Sequence, residues 1–155
     1  MKIQLIAVGT MREAPLRDLF ERYASRVPHY MPFEHISVPD IRSAKGADFQ
    51  KLKEGEAILS KINNGDFVVL LDERGMEMTS RKFAEFIDSK ASSLARNLIF
   101  VIGGPYGVSQ QVYDRADRLM GLSKMTFTHE MARVLTMEQI YRAMTILRGE
   151  PYHHD

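Results

Sequence analysis

Two segments of this chain, Phe67-Val68-Val69-Leu70-Leu71 and Leu98-Ile99-Phe100-Val101-Ile102, are apolar at every position over the length of a strand. A strand that faces water on one side alternates apolar and polar residues. A run without alternation needs cover on both faces, as in a parallel sheet flanked by helices. Three further segments of strand length, Ile3 to Val8, Phe33 to Val38 and Leu119 to Leu122, are separated from these by helical patterns. That order predicts βαβ units and a mostly parallel, Rossmann-like sheet in a three-layer αβα arrangement.

The intervening helices are read from their apolar spacing and their end signals. Thr10 is expected to cap a helix to about Arg26 with Leu16, Leu19, Phe20 and Tyr23 on one face, stopped by Pro28 and Pro32. Phe49, Leu52, Ile58, Leu59 and Ile62 mark a second, closed by Asn63-Asn64-Gly65 after a polar loop at 40–46. Thr79 or Ser80 opens a third to about Ala91, Ser109 caps a short one to Ala116, and the last runs from about Glu130 to Leu147. No repeat, low-complexity tract or linker divides the chain, and 155 residues with 45% hydrophobic and 26% charged suit one domain over 1–155.

Composition excludes several chemistries. With no cysteine there is no disulfide framework, no cysteine-ligated zinc or iron–sulfur site and no thiol nucleophile. A net charge of +1 does not announce a nucleic-acid or membrane binder. No apolar stretch approaches the ~18 residues of a membrane span, and the interrupted N-terminal run lacks a cleavage site, so a cytoplasmic protein is expected.

In open α/β sheets, ligands bind beyond the carboxyl ends of strands, which points to the loops after Leu71 and Ile102. Gly103, Gly104 and Gly107 serve either a tight strand-to-helix turn or the close approach of a ligand. The spacing is not a dinucleotide fingerprint, and no P-loop occurs. Asp72 and Glu73 are a paired-acid candidate or simply turn residues. Apolar residues surround most of the final helix, Met131, Val134, Met137 and Tyr141 among them, which suggests packing against a second subunit. Glu138 and Arg142 form an i,i+4 pair beside Thr145 within that surface. His129, His153 and His154 fall in the last 27 residues, without the spacing of a metal site. The ten methionines read as core filler.

Several motifs occur in order along the whole chain: Ala7-Val8-Gly9, Ile102-Gly103-Gly104-Pro105-x-Gly107, Ser123-Lys124-Met125-Thr126-Phe127-x-His129, Arg133-Val134-Leu135, Glu138-Gln139-x-Tyr141-Arg142-Ala143 and Pro151-Tyr152-His153. Together they resemble the small bacterial methyltransferases of the SPOUT superfamily that modify a pseudouridine in large-subunit ribosomal RNA. The resemblance implies an α/β sheet with a deep trefoil knot in its C-terminal part. It implies S-adenosylmethionine held by Leu71, Gly103 and the stretch Leu122, Ser123, Lys124, Met125, Thr126 and Phe127. It further implies a homodimer whose composite site joins the cofactor of one subunit to the C-terminal tail of the other, acting on N3 of a pseudouridine on the assembled ribosome. No metal, membrane or DNA is part of that picture.

Carried over position by position, Tyr152 and His153 are expected to contact the base or help remove its N3 proton. His129, Arg133 and Arg142 are expected to grip phosphate or hold the tail, with Glu138 orienting Arg142. His154 stands where the family often has Arg or Lys, so its grip on RNA is weaker. Without cysteine, direct transfer to nitrogen is the chemistry left. A net charge of +1 predicts weak binding to bare RNA, with selectivity drawn from the shape of the ribosome. Two other readings fit the same features: a knotted methyltransferase of another RNA such as tRNA, and a ribosome-associated protein without chemistry.

Overall fold

In a computed structural model, which describes residues 1–42, 44–93 and 96–155, all five strands lie parallel in one sheet. The chain order is β1 (Lys2–Val8), α1 (Ala14–Ala24), a 3₁₀ turn (Val27–His29), β2 (Phe33–Val38), α2 (Ala47–Leu59), β3 (Phe67–Glu77), α3 (Ser80–Ala91), β4 (Asn97–Ile102), α4 (Gln110–Arg115), β5 (Arg118–Gly121) and α5 (His129–Leu147). Across the sheet the order is β2-β1-β4-β3-β5. The two apolar runs are thus its interior, β4 between β1 and β3.

Successive residues of each strand feed opposite faces. Ile3, Leu5, Leu98, Phe100 and Val69 pack under α1, α3 and α5, against Phe20, Phe83, Ile87, Val134, Met137 and Ile140. Ile6, Ile99, Val101, Val68 and Leu70 pack on the other face against Ile58 of α2 and Val112 of α4. Each such side chain, fully withdrawn from water, stabilises the fold by roughly 1.5–3 kcal/mol. The three layers expected from the sequence are therefore present, and no helix among the described residues is long and apolar enough to cross a membrane.

Three expectations change. Helix α1 starts at Ala14 rather than after Thr10, because Pro15 favours the first turn. The amides of Arg12 and Glu13 just ahead of it donate instead to Glu130 Oε1 at 2.9 and 3.1 Å, an acceptor over a hundred residues away. Strand β3 continues to Glu77: its pairing with β5 shifts register between Leu71 and Met76, both opposite Met120, so that 72–75 bulge out at the strand end. The apolar circumference of α5 is already enclosed within one chain by α1, α3 and the sheet, and of its residues only Leu147 is exposed. That circumference therefore does not by itself require a partner.

The bulge lies hard against β5. A Cβ on Gly75 would stand 2.6 Å from the backbone of Met120 and 2.7 Å from that of Leu119. Gly75→Ala is expected to lower stability by about 1–3 kcal/mol, where glycine-to-alanine changes at unstrained sites usually stabilise. Urea or thermal unfolding checks this, and an unchanged or raised midpoint would contradict it.

Candidate active site at the strand ends

Because the sheet is parallel, β1, β4, β3 and β5 end along one edge. Leu70 pairs with Val101 and Leu71 with Met120, so Leu71, where β3 leaves β4 and its bulge begins, Gly103 just past β4, and Leu122 just past β5 stand along the same edge of three neighbouring strands. The residues expected to hold the cofactor are thus brought together, although they come from segments some 20–30 residues apart in sequence.

Side chains fasten this edge. Tyr113 donates its hydroxyl to Asp72, and Arg74 bridges the two, its Nε 3.2 Å from Asp72 Oδ1 and its Nη2 3.0 Å from the Tyr113 hydroxyl. Burial works to raise the Asp72 carboxyl, but hydrogen bonds from Arg74 and Tyr113 outweigh it and bring the pKa down to about 2. Asp72 is a fixed anion in a clamp, not a proton-transfer group near neutral pH. The Thr126 hydroxyl donates to Glu73, tying the 122–127 stretch to the bulge. The two acids singled out by the sequence are both holding the site's walls.

The 122–127 stretch is open to solvent: Met125 is 75% exposed and Phe127 37%. Met125 N–H donates to Ser123 Oγ at 3.0 Å, and no other peptide group from Ser123 to Phe127 has a protein partner among the described residues. An apolar rim with spare peptide donors and acceptors suits a flat heteroaromatic ring with a polar edge. In the glycine loop, Gly107 has φ +83° and donates to Gly104 O at 3.0 Å, and a Cβ on Gly103 would meet Val108 at 2.6 Å. The tight-turn reading of these glycines is correct, and it leaves Gly103 bare at the strand end.

The tail forms a second cluster. Gly149, at φ +69°, ends α5, and Glu150 N–H returns to Thr145 O at 2.9 Å. This turns Tyr152 and His153 back over the helix. Glu138 Oε1 accepts from Arg142 Nε at 3.0 Å, Arg142 Nη2 at 2.5 Å and the Tyr152 hydroxyl at 3.0 Å. Arg142 also stacks over the Tyr152 ring, 4.8 Å from its centroid. Burial, together with hydrogen bonds to Tyr23 and Glu138, raises the Tyr152 pKa, so this phenol is a hydrogen-bond donor rather than a phenolate.

His153 Nδ1 lies 3.1 Å from Arg142 Nη1, and its Nε2 lies 2.7 Å from Asp155 Oδ1. Arginine can only donate, so Nδ1 accepts and the ring proton is assigned to Nε2. Asp155 is held in turn by Arg81 of α3 at 2.6 Å, and Glu150 by the Tyr30 hydroxyl at 2.7 Å. Arg81, Tyr30 and Asp155 were not visible as site residues in the sequence. Their partners lie 74 to 120 residues away, beyond any local pattern.

Glu138, Arg142, Tyr152 and His153 are thus one unit, whereas His129 is not part of it. His129 opens α5, nine residues before Glu138 and roughly 14 Å from it along the helix axis. Arg133 is 0% exposed, with Nη2 donating to the carbonyls of Val8 and of Gly9, the latter at 2.8 Å. In this conformation it reaches no external partner, contrary to the surface contact with RNA expected for it. His154 is exposed and has no hydrogen bond, ion pair or ring contact among the described residues. No group of three or more metal-ligating side chains occurs among the described residues.

A sequence family described as "Predicted SPOUT methyltransferase" matches residues 1–153. Proteins named ribosomal RNA large subunit methyltransferase H are similar over their whole length: that of Christiangramia forsetii is 49% identical over 156 residues, covering 99% of each chain. Those of Cytophaga hutchinsonii and Parabacteroides distasonis are 46% and 47% identical, covering 99–100% of both chains. Among solved structures, a probable methyltransferase from Bordetella pertussis Tohama I superposes with a TM-score of 0.57 at 12% identity, covering 92% of this chain and 93% of that one. A probable methylase family protein from Haemophilus influenzae gives 0.54 at 14% identity, covering 99% and 70%. These two show a shared fold.

The tail cluster makes a direct prediction. In Arg142→Ala the link to His153 and the stack on Tyr152 are lost, and ¹⁵N order parameters at 152–155 should fall from rigid values near ~0.85 to below about 0.6, with α5 unchanged. A tail that stays rigid in this variant would contradict the assignment.

Proposed function

The chain belongs to the SPOUT methyltransferase family, and from that premise we propose that it transfers a methyl group from S-adenosylmethionine to N3 of a pseudouridine in the large-subunit ribosomal RNA of assembled ribosomes. The observation that carries this reading is the convergence of Leu71, Gly103 and 122–127 along one edge of the sheet, in a chain whose full-length relatives are named ribosomal RNA large subunit methyltransferase H. The cofactor supplies an already electrophilic methyl sulfonium. The protein has to hold it, exclude water and present a ring nitrogen in line with it. Leu71, Leu122, Met125 and Phe127 would hold the adenine, and the spare peptide groups of 123–127 would hydrogen-bond its edge.

The family's deep trefoil knot is part of the reading. The close crossing of the two segments supports it: Gly75 lies against the backbone of Leu119 and Met120, and a Cβ on Gly121 would meet the carbonyl of Gly75 at 3.0 Å and that of Asp72 at 3.3 Å. The protein acts in the cytoplasm as a homodimer in which the tail of one subunit completes the cofactor site of the other. In support, Met125, Phe127 and Leu147 are large apolar side chains left exposed in the single chain.

Within the tail, Tyr152 gives its one hydroxyl hydrogen to Glu138 and meets the base through its oxygen as an acceptor, and Glu138, accepting from Arg142, Tyr152 and Gln139, fixes their positions. His153 is the group left to take up the N3 proton, its Nδ1 exchanging Arg142 for the base. The target lies in a loop, where unstacking a nucleotide costs least. Near-neutral net charge agrees with a partner recognised by shape.

The test is mass spectrometry of ribosomal RNA from ribosomes that lack this methylation, incubated with the protein and S-adenosylmethionine. The unmethylated pseudouridine should disappear, and its persistence would overturn the assignment. A chain ending at Gly149 should lose methyl transfer by at least about 10²-fold while its cofactor affinity stays within about threefold. Full activity of that truncated chain would sink the composite site.

A further inference from the structure

A cavity of about 100 Å³ opens on the same edge of the sheet, between Gly9 and Thr10 after β1, Pro105 of the glycine loop, and His129 and Glu130 at the start of α5. It adjoins the glycine loop without sharing the cofactor residues. At about 30 Å³ per water it holds some three waters, which is room for one small anion and not for a base or sugar.

Its charged walls are unevenly engaged. Glu130 Oε1 accepts the amides of Arg12 and Glu13 at 2.9 and 3.1 Å. Asp40 accepts from Gln50 Nε2 at 3.1 Å and lies 3.6 Å from Arg42 Nε. Both carboxylates therefore have partners, Asp40 a cation and Glu130 two neutral amides on one of its oxygens. By contrast the Arg12 guanidinium, the Thr10 hydroxyl and the His129 ring have no hydrogen-bond partner among the described residues, and each belongs to the cavity wall. The cavity also receives the N-terminus of α5, a 19-residue helix whose Met131 amide is taken by the Thr128 hydroxyl while its dipole still presents positive potential there.

Arg133 adds an independent observation. It is fully buried one turn behind His129, and its Nη2 is bonded to the carbonyls of Val8 and Gly9, two residues of the cavity wall. Among the described residues its Nε and Nη1 have no hydrogen-bond partner and no carboxylate forms an ion pair with it; burial lowers its pKa, and the charge of Glu130 offsets only part of that. A buried cation without a directly paired counter-charge is costly. Of the two arginines on the wall, Arg42 is paired with Asp40 and Arg12 is left over, while Arg133 behind the wall and the helix terminus add positive potential.

We infer that this cavity is a phosphate subsite, receiving a backbone phosphodiester of the RNA strand beside the nucleotide being methylated, with Arg12 as its main side-chain ligand. This rests on the proposed RNA methylation. A phosphate held here sets the register of the strand against the cofactor, since phosphate contacts position while base contacts specify. The other anion within reach of this edge is the carboxylate of the cofactor itself, and the experiment separates the two.

Inorganic phosphate titrated into the dimer at constant ionic strength should give saturable NMR shifts at the amides of Gly9, Thr10, His129 and Glu130. Those shifts should be absent in Arg12→Gln and partly restored in Arg12→Lys. With ribosomes as substrate, Arg12→Gln should raise KM about tenfold, leave kcat within about twofold, and lower the salt dependence of binding by about one phosphate contact. Its affinity for S-adenosylmethionine should be unchanged. Absence of phosphate shifts in the unaltered protein, an unchanged KM, or a loss of cofactor affinity in Arg12→Gln would each overturn the subsite. Failure of the unaltered protein to methylate ribosomes while phosphate still binds would instead count against the proposed reaction and against RNA as the source of the phosphate.

Discussion

The arginine at position 133 ties the last helix to the end of the first strand. Its Nη2 satisfies the carbonyls of Val8 and Gly9, which lie at and past the end of β1, where sheet pairing runs out. These are backbone acceptors that must be paired somewhere, and leaving a buried one unmet costs about 1–3 kcal/mol. The bond spans 124 residues. It draws the N-terminus of α5 down onto the sheet edge, and Glu130, one turn earlier on α5, then meets the start of α1. The cost of burying the charge is visible in its neighbours. Burial first and the Arg133 charge second bring the His35 pKa down to about 4, so this histidine stays neutral in the core.

With α5 anchored at that end, its other end has little freedom. Gly149 reverses the chain, Tyr30 holds Glu150, and Arg81 holds Asp155, so Tyr152 and His153 are presented from a surface made by α1, α3 and α5. The cofactor residues are set independently, by the register of β3 against β4 and β5 and by the Asp72, Arg74 and Tyr113 clamp. In the proposed function these are the two halves of the active site, and neither holds both an electrophile-binding surface and a proton acceptor, which is the physical argument for a composite site.

Much of this was legible in the sequence. The unbroken apolar runs at Phe67–Leu71 and Leu98–Ile102 pointed to the parallel sheet, and Thr79, Gly103 and Gly107 announced their cap and turn correctly. What the sequence did not show came from long-range geometry. Thr10 has the chemistry of a helix cap, yet Glu130 provides the acceptor. Arg133 reads as a surface cation in a one-letter pattern and is fully buried. The apolar girdle of α5 read as a subunit contact, whereas within one chain α1, α3 and the sheet already bury Val134, Met137, Ile140 and Met144 and leave Met131, Leu135 and Tyr141 half-buried and Leu147 exposed. The pairing of Arg81 with Asp155 joins segments that no periodicity relates.

The central claim is that one subunit contributes the cofactor surface and the other the tail. Mixed dimers test it most directly. A chain carrying Phe127→Glu, which spoils the cofactor surface, is combined in equal amount with a chain ending at Gly149, which lacks the tail. Each homodimer alone should be inactive. After subunit exchange, half the dimers are mixed and each holds one intact site of two, so methylation of ribosomes should return to about a quarter of the unaltered rate. A mixture that exchanges subunits and stays as inactive as its parents would contradict the composite site.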